Sequence, residues 1–109
     1  MAELYVMSDE QKHLWTDWVA ERPPIIKDLC ARFLPNRLYH LKTTGQRVIP
    51  SAFYEDNTLL VIVPRLFNGG IFPTKSVFGI KPDDLEECDL PNGYATMTFD
   101  DYEQLLNTL

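Results

Sequence analysis

Thr58-Leu59-Leu60-Val61-Ile62-Val63 is the stretch that decides the fold. It is uncharged, apolar after its first residue and rich in β-branched side chains, a pattern that suits a central β-strand. Working back from it, Glu55-Asp56-Asn57 supplies a turn, because these residues tolerate turn or left-handed geometry. Residues 47–54 read as a second extended segment, with Pro50 expected at an edge or a bulge. Thr44-Gly45-Gln46 is another turn, and before it Tyr39 and Leu41 alternate with His40 and Lys42.

Working forward, Pro64 is expected to end the central strand, and residues 65–73, with Asn68-Gly69-Gly70 and Pro73, to form a longer loop or loose hairpin. Residues 75–80 read as a fourth strand with Gly79 at a bulge or close backbone approach. Pro82-Asp83-Asp84-Leu85 resembles one turn of 3₁₀ helix, and residues 86–90 add a short closing strand. Four to five short strands at a spacing of about 8–12 residues imply a small barrel or rolled sheet.

The N-terminal third has a different period. Ser8-Asp9-Glu10-Gln11 is a capping box, with Asp9 and Glu10 at the end of the helix dipole that favours negative charge. Leu14, Trp15, Trp18 and Val19 then recur at helical spacing over 9–21. Pro23-Pro24 ends this helix and opens the next, where a missing amide costs nothing. Ile25, Ile26, Leu29, Cys30 and Phe33 form the second apolar face, and Pro35-Asn36 stops it. After Pro91-Asn92-Gly93 a tail begins, in which Phe99, Tyr102, Leu105, Leu106 and Leu109 share one face of a short helix. The fold predicted is therefore α+β: two N-terminal helices (8–35), a small antiparallel barrel (38–90) and a tail with a short helix (91–109), one domain over 1–109.

Charge is unevenly distributed. The 109-residue chain has net charge −6, which weighs against generic affinity for nucleic acid. Residues 1–46 balance to zero, 47–80 carry +1, and 81–109 carry −7, with Lys81 alone against eight carboxylates. The first seven residues are acidic and their apolar run is too short for a secretory signal. With no apolar run of about 18 residues, no membrane helix is predicted. Cys30 and Cys88 read as reduced, mostly buried thiols of a cytoplasmic protein.

Catalytic and metal motifs are missing from the sequence. His13 and His40 are the only histidines, and no Cys-x-x-Cys or His-x-x-x-His pairing occurs, so neither metal nor cofactor is predicted. No Gly-x-Ser-x-Gly occurs, Asn68-Gly69-Gly70 lacks the lysine and hydroxyl of a phosphate loop, and Cys30 lies on an apolar stripe. The late carboxylates sit among like charges with no apolar pocket evident to raise a pKa. An enzyme is not predicted.

Several segments resemble a group of small uncharacterised phage and prophage proteins over residues 10–91. They are Glu21-Arg22-Pro23-Pro24, Arg32-Phe33, Tyr39-x-Leu41-Lys42, Thr44-Gly45-Gln46-Arg47-Val48, Glu55-Asp56-Asn57-Thr58 and Val77-Phe78-Gly79-Ile80-x-Pro82-Asp83-Asp84-Leu85-Glu86. The last of these also resembles the final 3₁₀ turn and strand of SH3-like barrels. The resemblance implies a mobile-element origin and an SH3-like barrel, and it implies no activity.

Recognition of another protein is the function expected. Its candidate surface is the acidic group Asp83, Asp84, Glu86, Glu87 and Asp89, together with the aromatic pair Trp15 and Trp18 and the tail residues Tyr102, Leu105 and Leu106. A host or phage protein is the expected partner, with the acidic surface competing for a basic groove in a host defence or nucleic-acid-handling system. The tail helix could also pair two copies. Two alternatives stand beside this: a small nucleic-acid-associated regulator using Lys27, Arg32, Arg37, Lys42 and Arg47 with Tyr39 to stack, and a virion structural accessory.

Overall fold

The computed structural model describes residues 4–34, 36–67, 70–90, 97–98, 100, 103–104 and 107. Elements run in the order β1 (Tyr5–Val6), α1 (Asp9–Ala20), α2 (Pro24–Arg32), β2 (Tyr39–Leu41), β3 (Arg47–Phe53), β4 (Leu59–Phe67), β5 (Gly70–Ile80), a 3₁₀ turn (Pro82–Asp84), β6 (Leu85–Glu87) and β7 (Met97–Thr98). Strands β2 to β6 form one antiparallel sheet in the order β5-β4-β3-β2-β6, and β1 pairs in parallel with β7.

The expected central strand is central. β4 lies between β3 and β5 and is buried on alternating faces: Leu59 and Val61 on one, Ile62 on the other. The first face packs against Leu29 and Phe33 from the α2 segment, together with Tyr39, Val48 and Leu85. The second packs against Leu4 and Tyr5, with Leu38, Ile49 and Ile71. The N-terminal arm is thus part of the core. Its hold is polar as well as apolar: Leu4 N–H donates to the Asn36 carbonyl at 2.7 Å, and the buried Asn36 amide donates to the Tyr5 carbonyl at 3.1 Å.

The sheet is rolled and not closed, a correction to the expected barrel. β5 and β6 are its two edges, and no ladder joins them among the described residues. Yet Lys81–Asp84 alone connect these opposite edges. From Ile80 to Leu85 the extended chain reaches about 17 Å, whereas a flat five-strand sheet separates its edges by about 19 Å. The connection, tightened further by the 3₁₀ turn, forces the sheet to curl. β6 is three residues long and pairs with β2 on one side, and its other side meets no strand among the described residues.

A second correction concerns Pro64, which does not end the strand. β4 runs on to Phe67, and β5 starts at Gly70, so of the two readings of 65–73 the hairpin holds and the loop does not. Pro64 pairs with Pro73, next to a register shift that leaves Thr74 as the extra residue. Two residues without amide donors facing each other at a bulge cost the ladder little. Thr74 Oγ1 donates to the Val63 carbonyl at 2.7 Å, replacing a backbone donor there.

Other local expectations hold. The Ser8 capping box is complete in both directions, and Pro24 opens α2. A bulge falls between Pro50 and Ala52, and Gly79 takes φ +73° beside another register shift. The expected tail helix lies largely outside the described residues, as do Tyr102, Leu105 and Leu106. No helix among the described residues is long and apolar enough to cross a membrane.

Candidate functional site

Acidic and basic segments that are far apart in the sequence meet in the fold. β6 pairs with β2 so that Tyr39, His40 and Leu41 face Glu87, Glu86 and Leu85. The Arg37 guanidinium consequently donates to Glu87 at 2.9 Å, with both side chains mostly covered. Arg32 lies 3.8 Å from Asp83 in a far more exposed pair. The Asp84 carboxylate accepts from the Thr43 amide at 3.1 Å and the Thr43 hydroxyl at 3.0 Å, fixing the β2–β3 turn against the 3₁₀ turn. Beside it lies an open cleft of about 460 Å³ lined by Thr43, Gly79, Ile80, Lys81, Asp83 and Asp84.

Much of the acidic group is therefore engaged within the molecule. Asp83 remains 99 % exposed despite its arginine, and Glu86 and Asp89 are exposed. The basic group is dispersed in the same way. Arg32 and Arg37 face carboxylates, Lys27 borders a groove between the two helices, Lys42 is exposed beside the β2–β3 turn, and Arg47 faces His40 across the ladder. Tyr39, the candidate for base stacking, is buried edge-on against Phe33 at 5.5 Å, and its hydroxyl accepts from the Leu34 amide at 3.0 Å.

The helical pair gives the clearest apolar surface. Trp15 and Val19 turn inward, and Trp15 lies 6.3 Å from the Phe53 ring. Leu14 and Trp18 point outward, 60 % and 40 % exposed. Trp18 is held in place: it stacks on Trp15 at 5.4 Å and 19°, and the Arg22 guanidinium sits 4.7 Å above its ring. Arg22 Nε also donates to the Trp18 carbonyl at 3.1 Å. Between α1 and α2 lies a groove of about 200 Å³ bordered by Trp15, Thr16, Val19, Lys27, Cys30 and Ala31.

Neither thiol is activated. Burial pushes Cys30 up, against an opposing pull from Arg22. Burial also raises Cys88, where Arg47 opposes and Asp89 and Glu87 add to the rise. Both favour the unreactive thiol at neutral pH. No group of three or more His, Cys, Asp or Glu residues suited to a metal ion occurs among the described residues.

Three features of the fold and its surface are not legible in the sequence. Asn36 looked like a helix stop and is also the clamp on β1. The Arg37–Glu87 pair joins residues whose proximity depends on strand order, for which no local signal exists. Phe72 and Phe78, 45 % and 71 % exposed on β5, look like core residues in any apolar run. Compared with family models, with curated proteins and with solved structures, the chain matches none.

Proposed function

We propose that this chain is a non-enzymatic protein-interaction module whose docking surface is the Leu14–Trp18 ridge of α1. The observation that carries the reading is a tryptophan left 40 % exposed on a helix that buries none of its residues, yet stacked and capped by Arg22. A pre-ordered aromatic loses little rotamer freedom on binding, and tryptophan is the residue type most enriched at binding hot spots. The acidic end contributes less than its charge suggests, because Asp84 and Glu87 are engaged internally. A direct nucleic-acid role is weakened because Glu87 neutralises Arg37 and Tyr39 is buried.

For the fold, the strand order β5-β4-β3-β2-β6 and the 3₁₀ turn before β6 support an open SH3-like roll. The phage or prophage kinship belongs to the same proposal and rests on the sequence resemblance alone.

The test is affinity capture from lysate of the cell that carries the gene, comparing the wild type with two variants. Leu14→Ser/Trp18→Ser is expected to lose the partner, and Asp83→Lys/Glu86→Lys/Asp89→Lys to keep it. The reverse result would move the docking surface to the acidic end. Salt-sensitive retention of the wild type on heparin would favour the nucleic-acid reading instead.

A further inference from the structure

The β4–β5 hairpin is chemically unlike the rest of the chain. Residues 57–82 contain Arg65, Lys75 and Lys81 and no carboxylate, a charge of +3 in a protein whose remaining residues sum to −9. β5 is also an open edge: it pairs with β4 on one side and with no strand on the other among the described residues. It carries two of the exposed large apolar side chains, Phe72 and Phe78.

Behind this edge the inner face of the sheet is only partly covered. The α2 segment packs over Leu59, Val61 and Leu85, and beyond it lies a groove of about 280 Å³ lined by Leu41, Val48, Val61, Val63, Lys75 and Val77. Lys75 is the sole charged residue on its wall, and no ion pair to it occurs among the described residues.

We propose that the β5 edge takes an extended acidic peptide of a partner protein as an added strand, seating one apolar side chain in this groove. An unpaired edge offers alternate amides and carbonyls to such a strand, which supplies affinity, while pockets for alternate side chains supply selectivity. Charge complementarity selects the occupant: Lys75 borders the groove, and Lys81 follows the end of the strand. A second copy of this chain fits less well. The bulges at Thr74 and Gly79 confine the regular edge to residues 75–78, and a second copy would bring to it another hairpin with no carboxylate to meet Lys75 or Lys81.

This site is independent of the α1 ridge, and one experiment separates them. The isotope-labelled full chain is titrated by NMR with a short blocked peptide alternating glutamate with valine, and with its lysine-for-glutamate counterpart. The acidic peptide is expected to move the amides of residues 70–80 and the methyl groups of Val63 and Val77, and its lysine counterpart to leave them in place. Lys75→Glu/Lys81→Glu, at two exposed positions, is expected to weaken binding about tenfold or more, while Leu14→Ser/Trp18→Ser binds as the wild type does. Equal binding of both peptides overturns the proposal, as do no response along β5 or shifts confined to α1. A concentration-dependent dimer that broadens the β5 amides also overturns it.

Discussion

Two short helices joined through Pro23 make opposite use of their apolar faces. α2 buries Ile26, Leu29 and Cys30, with Leu29 packed on the sheet, whereas α1 buries none of its residues completely. Both carry apolar residues at helical spacing, although α2 is the more sharply amphipathic of the two. Spacing says which residues share a face, and the layout of the sheet decides whether that face is covered. α2 lies over a sheet face and is anchored by Leu29. α1 rests by Trp15 on Phe53 and presents Leu14 and Trp18 to solvent. The body of the protein is the rolled sheet with its two lids, α2 and the N-terminal arm, and α1 is an appended surface.

The largest expected effect is on the covered helix. Leu29 is fully buried, so Leu29→Ala is expected to destabilise the protein by about 2–5 kcal/mol in chemical denaturation. A loss below about 0.5 kcal/mol would show that α2 covers nothing that matters.

The buried side also has a pH signature. Burial raises the Tyr5 phenol from 10.0 to about 12. The folded state therefore favours the neutral phenol. The resulting stability is whole below pH 10.0 and is lost as pH rises towards about 12. That shift corresponds to about 2–3 kcal/mol. Tyr39 is raised as well, so Tyr5→Phe is expected to flatten the alkaline loss without abolishing it. An unchanged alkaline profile in Tyr5→Phe contradicts the burial of the arm.

Ion pairs sharpen the contrast at a smaller scale. A double-mutant cycle on Arg37 and Glu87, which are mostly covered, is expected to give a coupling of about 1 kcal/mol. The same cycle on Arg32 and Asp83 is expected to give no measurable coupling, because solvent screens an exposed pair. Equal couplings would contradict the placement of β6 against β2.

Local chemistry made much of this architecture legible. The Ser8 box, Pro24, the 3₁₀ turn and the bulges at Pro50 and Gly79 each depend on a few neighbouring residues. Pro64 is not legible from its own neighbours, because the facing Pro73 and the Thr74 hydroxyl, both across the ladder, make it tolerable in the strand. The candidate site was less legible still. A charge sum along the chain makes the −7 segment an acidic surface, whereas the fold sets Glu87 against Arg37 and Asp83 near Arg32. Closure of the sheet is not legible for a related reason, since strand number and spacing do not record which edge a three-residue strand will join.

The separation of a load-carrying sheet from an exposed α1 ridge is tested most directly by unfolding Leu14→Ser/Trp18→Ser beside the wild type. Leu14 is mostly exposed and Trp18 stacks only on Trp15 and under Arg22, so the double variant is expected to lose about 1–2 kcal/mol, less than Leu29→Ala. A loss as large as that of Leu29→Ala would mean that Leu14 and Trp18 hold the fold together and are not a docking surface.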